Sequence, residues 1–303
     1  MRVFVAGASG AIGRPLLRQL AAAGHEVVGM TRSKADLVRE LGAEPVTADA
    51  LDAGAVRAAV EHARPDVIVN ELTDLSRPLN PRKYEDWLAG TNRLRCEGTQ
   101  NLADAAVAVG ASKLISQSVA FAYRFDPGTK TEEEPLLGAE AGEMGRAIEE
   151  LERTTLAAPG GIVLRYGFFY GPGTSYQHGG QQVEMIRKRR VPIVGRGNGL
   201  FPFIHVEDAA AATLAAIERG APGVYNVVDD EPAPEREWVP YVAELIRARK
   251  PRRIPGVVAR IAAGRMAALA TRLGPVSNEK AKRELGWQLR YPSWREGFRA
   301  ELG

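Results

Sequence analysis

The chain has few of the residues and segments that mark several large classes of protein. Only one of its 303 residues is a cysteine, Cys96, so no disulfide forms within the chain and a reducing compartment is expected. The 40 basic and 37 acidic residues leave an excess too small to indicate a nucleic-acid partner. No apolar run approaches the roughly 20 residues that cross a bilayer, and the first residues lack the layout of a signal peptide. We therefore expect a cytoplasmic protein that binds neither nucleic acid nor a membrane.

Patterns of metal ligands are also missing. The histidines His25, His62, His178 and His205 show no ligand spacing, and one cysteine cannot supply a cluster of thiolates. We expect no catalytic metal.

The first two-thirds of the chain alternates short apolar runs with helical patterns. The apolar runs predict strands at 2–6, 26–31, 44–48, 66–71, 112–118 and 161–166. The segments between them predict helices at 11–24, 34–42, 52–63, 83–109 and 143–157. This order is typical of an α/β fold with a Rossmann-type, doubly wound parallel sheet covered by helices on both faces.

The alternation of strand and helix patterns becomes less regular after about residue 170, where glycine and proline cluster. We predict a nucleotide-binding domain over 1–170 and a smaller, mainly substrate-binding lobe over 171–303. Later segments, about 203–228, are expected to return to the first domain.

The strongest local motif is the glycine-rich segment that directly follows the first strand and opens a helix. Its residues are Gly7, Ala8, Ser9, Gly10, Ala11, Ile12 and Gly13. Glycines at these points permit a tight turn and close approach of the backbone to a pyrophosphate, and the helix N-terminus offers free N–H groups to phosphate. The motif predicts a dinucleotide site.

The end of the second strand indicates which dinucleotide binds. An NAD site usually carries an acidic residue there, whereas this sequence reads Thr31-Arg32-Ser33. The Arg32 guanidinium can pair with a 2′-phosphate, and the two neighbouring hydroxyls can donate hydrogen bonds to it. We therefore predict NADP(H) as the cofactor.

These residues resemble the extended short-chain dehydrogenase/reductase family, also called the NAD(P)-dependent epimerase/dehydratase family. The resemblance covers almost the whole chain and is also carried by Asp49 in TADALD, Asn92 in TNRLRCEGTQNLADAA, LRYGFFYGPGT at 164–174, FIHVEDAAAA at 203–212 and SNEKAKRELGWQLRYPSWREGF at 277–298. The fingerprint and the resemblance together predict that the cofactor is bound by Gly7, Ser9, Gly10, Ala11, Ile12, Gly13, Thr31, Arg32, Ser33, Asp49, Ala50, Leu72, Asn92, Ser116 and Tyr166. The resemblance also implies a homodimer through helices 83–109 and 143–157.

The chain departs from the family at the catalytic residues. The family uses a tyrosine and a lysine four residues later, and the resemblance aligns Met144 and Ile148 with them. Neither side chain transfers a proton near neutral pH, and no Tyr-x-x-x-Lys occurs anywhere in the chain. Ser118 matches the family's catalytic serine best, and Tyr123 is our candidate for a relocated proton donor. We expect an atypical active site.

Two further departures bear on the substrate. Phe168 stands where members that act on nucleotide sugars carry an asparagine, and Phe201-Pro202 stands where they carry a phosphate-binding arginine. Aromatic replacement at both places indicates a relatively apolar small molecule. The residues predicted to line its pocket are Phe168, Tyr170, Tyr176, His178 and Phe201.

We predict an NADP(H)-dependent oxidoreductase or epimerase that acts on a carbonyl or hydroxyl centre with non-standard proton transfer. Two alternatives stay open at this point. One is a non-catalytic NADP(H)-binding sensor or regulatory protein, and the other is a non-redox isomerase, cyclase or lyase on the same fold.

Overall fold

The computed structural model describes residues 1–75, 77, 83–259 and 270–303. In this part of the chain the central sheet has seven parallel strands in the order β3-β2-β1-β4-β5-β6-β11. Their bounds are β1 Arg2–Ala6, β2 Glu26–Thr31, β3 Glu44–Thr47, β4 Val67–Asn70, β5 Lys113–Val119, β6 Ile162–Tyr166 and β11 Gly223–Val227. The order in which strands are added to the sheet reverses between β1 and β4. Ligands bind at such a point in sheets of this kind. The predicted Rossmann-type α/β fold is confirmed.

Helices cover both faces of the sheet and pack against it in two separate apolar cores. The helices are α1 Gly13–Ala22, α2 Ala35–Glu40, α3 Ala53–Ala63, α4 Tyr84–Arg93, α5 Thr99–Val109, α6 Glu143–Ala157, α7 Gln181–Arg187, α8 Val206–Arg219, α9 Glu235–Leu245, α10 Glu279–Leu285 and α11 Trp294–Leu302. One core packs α1 and α8 against the sheet, and the other packs α3 and α5 against the opposite face. Val3 and Val5 point into the first core and Phe4 into the second, as the alternation of a strand requires.

Short strands build the second lobe beside the carboxyl edge of the sheet. These are β7 Phe168–Tyr170 paired with β10 Phe203–His205, β8 Ile193–Val194 with β13 Arg253–Ile254, and β9 Leu200–Phe201 with β12 Ala233–Pro234. An aromatic core that includes Tyr170, Phe203, Trp238, Trp294 and Phe298 holds this lobe together.

The long helix predicted over 83–109 is interrupted. A π-helical segment, Leu94–Gly98, joins α4 to α5. Such single turns are rare and frequently occur at functional sites. A second short helix, the 3-10 turn Gly138–Ala141, precedes α6.

Within the described ranges, no helix is both long and apolar enough to cross a membrane. The same ranges contain no group of three or more His, Cys, Asp or Glu side chains placed to hold a metal ion.

Candidate active site

The glycine-rich turn after β1 is closely packed on all sides. Gly7 has φ 89°, and a Cβ there would lie 2.5 Å from the carbonyl oxygen of Glu71. A Cβ on Gly13 would collide with the carbonyl oxygens of Gly7 and Ala8. The N–H groups of Gly7 and Ala8 donate to the carbonyl of Met30 at 3.3 and 3.2 Å and tie the turn to β2. Only glycine fits these positions, and the resulting cradle at the start of α1 suits a pyrophosphate.

The end of β2 lies beside this turn, as the motif predicts. The hydroxyls of Ser9 and Thr31 share a hydrogen bond of 3.1 Å. The side chain of Arg32 is 65 % exposed, and its guanidinium lies 3.9 Å from the carboxylate of Asp74, too far for a hydrogen bond. The neighbouring Ser33 is also exposed. Arg32 is thus free to pair with an anionic ligand at this edge.

Three more of the predicted cofactor-binding residues follow the ends of β3 and β4. The Asp49 carboxylate accepts a hydrogen bond from the N–H of Leu51 at 3.0 Å, while its side chain stays at the surface. The carbonyl of Ala50 accepts from Asn101 at 2.9 Å, and Leu72 is half-buried after β4. These contacts hold the loop after β3 in place. The role of Asp49, Ala50 and Leu72 in cofactor binding stays a prediction.

The π-helical segment carries a buried cation. Arg95 is 8 % exposed and donates to the Asn92 amide oxygen at 3.2 Å. No carboxylate of the described chain pairs with it, and burial lowers the pKa of Arg95 to about 10. The buried Asn92 Nδ2 has no partner either. Asn92 was predicted to bind the cofactor, and the structure shows it orienting Arg95, a residue that helical patterning alone did not single out.

A buried carboxyl group, that of Glu71, belongs to a residue that packs against the glycine-rich turn at Gly7. Glu71 follows β4, and burial raises its pKa to about 8 although a hydrogen bond from Tyr166 at 3.3 Å opposes this shift. The Tyr166 and Thr213 hydroxyls share a second hydrogen bond of 2.6 Å. The structure therefore does not support Tyr166 as a cofactor ligand, because its hydroxyl lies inside the core. Sequence reasoning missed Glu71, although an acidic residue directly after a wholly apolar strand is an available signal.

The serines of β5 also bond to protein groups. Ser118 Oγ, 2 % exposed, donates to Glu152 at 2.7 Å, and the buried Ser116 Oγ accepts from Thr155 at 2.8 Å. Both partners lie on α6. The structure does not support the prediction that Ser118 is catalytic or that Ser116 faces the cofactor, since both hydroxyls point into the contact between sheet and helix.

Tyr123 belongs to the same buried polar network. Its hydroxyl donates to Asn226 at 2.7 Å and accepts from Arg165 at 2.8 Å. Arg165 in turn forms two hydrogen bonds to Glu152, at 2.9 and 2.7 Å. Burial raises the pKa of Tyr123 to about 12, despite the nearby guanidinium. A buried hydroxyl with this pKa and two partners is a poor proton donor, so the prediction that Tyr123 is a relocated acid is not supported.

The residues at the predicted catalytic positions form an apolar cluster. Val119, the residue after Ser118, packs in one buried group with Met144 and Ile148 of α6 and with Leu88 of α4. The hydroxyl of Tyr84 lies 3.5 Å from the Met144 sulfur. Burial raises the pKa of Tyr84 and outweighs the opposing effect of Arg95. Tyr84 is therefore a poor acid at neutral pH, and the other residues of this described cluster have no group that transfers a proton.

The predicted substrate-lining residues separate into two groups. Phe168 and Phe201 lie together near the carboxyl edge of the sheet, with ring centroids 5.4 Å apart, and Phe168 stacks on Phe121 at 4.2 Å. Tyr170 and Tyr176 are instead buried in the aromatic core that includes Phe203 and Trp238, so the structure gives no support for a lining role for them.

His178 does not join either group of aromatic residues. It is exposed on the loop before α7. The structure shows no contact that supports its assignment to the substrate pocket.

The fold and the sequence are both similar to known proteins. A model of the NAD dependent epimerase/dehydratase family matches residues 3–227. A 3-diazoavenalumate denitrifying reductase of Streptomyces sp is 41 % identical over 99 % of this chain and 100 % of its own length. A 2-alkyl-3-oxoalkanoate reductase of Stenotrophomonas maltophilia is 27 % identical over 97 % of this chain and 91 % of its own.

Solved structures share the architecture. The human epimerase family protein SDR39U1 (isoform 2) with NADPH has a TM-score of 0.77 and 22 % identity, covering 100 % of this chain and 99 % of that one. The UDP-glucose 4-epimerase of Thermotoga maritima has a TM-score of 0.77 and 20 % identity, covering 100 % and 97 %. The chain therefore belongs to the NAD dependent epimerase/dehydratase family and is an NAD(P)-dependent enzyme of the oxidoreductase and epimerase type.

Proposed function

We propose that the chain is an NADPH-dependent reductase that replaces the diazonium group of a small aromatic molecule with hydrogen and releases N2. The relative that is 41 % identical over the full length is named for a reaction of this kind. The observation that carries the proposal is the apolar cluster in which Met144 and Ile148, at the positions where the family resemblance places the tyrosine and lysine, pack with Val119.

The chemistry explains why such a cluster is compatible with turnover. Reducing a ketone requires a proton for the new hydroxyl, and an enzyme that does so needs a donor near the reacting oxygen. When bound, NADPH supplies a hydride that forms the new carbon–hydrogen bond of a diazonium carbon while the carbon–nitrogen bond breaks and its electron pair leaves with N2. No proton enters this balance. The cluster contributes by excluding water, which otherwise competes for the electrophilic carbon.

The turn Gly7–Gly13 and Arg32 would hold the cofactor. Replacing Arg32 with alanine is expected to weaken NADPH binding about 10- to 100-fold, the equivalent of the roughly 1.5–3 kcal/mol of a charge-assisted hydrogen bond. NADH binding should change less than threefold, because NADH has no 2′-phosphate. Fluorescence titration with both cofactors measures this. Arg39→Ala, which removes an exposed arginine of α2 that pairs with Asp36, serves as the control.

The hydroxyls of Ser118, Tyr123 and Tyr84 are not expected to take part in the reaction. Ser118→Ala, Tyr123→Phe and Tyr84→Phe are each expected to keep kcat for diazo reduction within about threefold, because none of these groups transfers a proton in the reaction. Ser118→Ala and Tyr123→Phe should still lower the melting temperature, since each removes a buried hydrogen bond. A loss of kcat above tenfold in a variant that stays folded would identify a proton donor.

The proposal is tested by comparing two substrates with matched skeletons, 4-carboxybenzenediazonium and 4-acetylbenzoate. NADPH oxidation is expected with the diazonium compound, above a blank without protein, and not with the ketone. The reverse preference would show that the chain is a carbonyl reductase and that another group donates the proton.

We also propose the homodimer that the family resemblance implies. Val107 on α5 and Leu156 on α6 are large apolar side chains that the described chain leaves exposed. These two helices lie within the segments 83–109 and 143–157 that the resemblance assigns to the dimer contact, so the exposed side chains support an interface through them.

A further inference from the structure

A pocket opens directly after β5, between the loop that follows this strand and residues 272–276. Phe121, Phe125 and Pro202 form its apolar walls, and Arg124, Lys130 and Arg272 contribute cations. Phe121 also packs against the apolar cluster of Val119, Met144 and Ile148. The pocket therefore adjoins the place where we locate the reaction.

Lys130 is the unusual member of this set. It is 4 % exposed, and its position is fixed because its N–H donates to Pro275 and its carbonyl accepts from Ser277, both at 2.8 Å. Among the described residues no carboxylate or carbonyl accepts a hydrogen bond from its ammonium group. The half-buried Lys282 pairs with Asp230, and the half-buried Lys113 donates to three backbone carbonyls.

A cation that is enclosed by protein and has no anionic partner is stabilised when an anion binds beside it. The other charges of the pocket do not supply the missing anion. Asp126, the acidic residue of the lining, lies 3.6 Å from Arg124 and is balanced by it. Arg272 stacks over the Phe125 ring at 4.2 Å and has no carboxylate partner in the described chain. The pocket thus carries two cations beside aromatic rings, the enclosed Lys130 and the exposed Arg272, with which no carboxylate of the described chain pairs.

We propose that this pocket binds an aromatic carboxylate, with Lys130 and Arg272 holding the carboxylate and Phe121 facing the ring of the ligand. Phe121 already stacks on Phe168 with an interplanar angle of 9°, so an aromatic surface is preformed. The proposal deepens the proposed function, on which it rests, by naming the substrate class as an aromatic diazonium compound that carries a carboxylate. A carboxylate bound to Lys130 would also fix the distance of the reacting carbon from the apolar cluster.

Binding of cinnamate and cinnamamide to the intact protein with saturating NADP⁺ tests this by calorimetry, without any turnover. The two probes have the same shape and differ in charge. We expect wild-type protein to bind cinnamate at least tenfold more tightly than cinnamamide. Lys130→Met should weaken cinnamate binding at least tenfold and change cinnamamide binding less than threefold, and Arg272→Ala should act in the same direction.

Lys130→Arg keeps the charge and should retain cinnamate binding within about threefold, which separates loss of charge from misfolding. Lys188→Met, at an exposed lysine after α7, is the matched control and should bind both probes as the wild type does. Equal binding of the two probes, no binding of either, or unchanged cinnamate affinity in Lys130→Met would overturn the proposal. Absence of diazo turnover together with charge-dependent cinnamate binding would instead reject the proposed function alone.

Discussion

Replacing Arg165 with methionine is expected to lower the free energy of unfolding by about 3–5 kcal/mol, the cost of leaving a buried charge unpaired. The Arg165 and Glu152 side chains are 7 % and 8 % exposed and joined by two hydrogen bonds. Ser118 donates to the same carboxylate and Tyr123 bonds to the same guanidinium. The substitution therefore strands Glu152 and removes a partner from Tyr123 at the contact of β5, β6 and α6.

The matched control, Arg153, lies on α6, the helix that carries Glu152. Arg153 pairs with Glu150 three residues earlier, but both side chains are largely exposed, at 65 % and 42 %. Arg153→Met should cost about 0–1 kcal/mol, because exposed ion pairs contribute little. Urea unfolding of both variants measures the difference. Similar losses for the two would show that the buried network does not stabilise the fold as its burial implies.

Replacing Glu71 with glutamine is expected to remove much of the dependence of stability on pH between 5.5 and 8. Burial raises the pKa of Glu71 to about 8 in the folded protein, from an ordinary value of 4.5. Between these values the folded state holds a proton that the unfolded state releases, so stability falls as pH rises. At about 1.4 kcal/mol per pH unit, the wild type should lose roughly 3 kcal/mol over this range relative to the variant.

Denaturant unfolding at pH 5.5, 6.5, 7.5 and 8 measures this slope. Glu133→Gln, at an exposed position, should leave the slope of the wild type unchanged. Parallel curves for the wild type and Glu71→Gln would mean that Glu71 is ionised in the folded protein and has found a compensating partner.

Strong local patterns were enough to predict the front half of the fold. The strands at 2–6 and 26–31 match β1 and β2, because each is a short apolar run bounded by turn residues. The glycines of the turn Gly7–Gly13 are explained by collisions that any Cβ would cause, which is the physical basis of the motif.

The seventh strand was not predicted as a strand. β11 at Gly223–Val227 is short, and it is defined by pairing with β6 about 60 residues earlier, from Gly223 opposite Ile162 to Val227 opposite Tyr166. Long-range pairing of this kind leaves little local trace.

The catalytic assignment of Ser118 stays untested, and the structure does not support it, because the hydroxyl bonds to Glu152. Side chains alternate along a strand, so neighbouring residues at the end of β5 have different surroundings. Ser118 turns toward Glu152, whereas Val119 enters the cluster with Met144 and Ile148. A sequence that reads Ser-Val at the end of a strand does not indicate which of the two residues faces the ligand.

The buried charges were missed for a related reason. Arg95 lies in a helical pattern that predicts a continuous helix, and only the π-helical turn Leu94–Gly98 places its side chain inside. Lys130 lies in a polar loop, where a lysine is normally exposed, and becomes buried because residues 275–277 pack over it. Both depend on contacts that no local pattern specifies.

The proposed reaction delivers hydride to a diazonium carbon without a proton donor from the protein. The most direct test is a single-turnover reaction of 4-carboxybenzenediazonium with NADPH that carries deuterium at both positions of nicotinamide C4, in ordinary water, with mass spectrometry of the products. We predict benzoate with one deuterium on the ring carbon that bore nitrogen, one equivalent of N2, and a rate that is unchanged in Tyr84→Phe. Benzoate without deuterium, or a rate no faster than the blank without protein, would contradict the account.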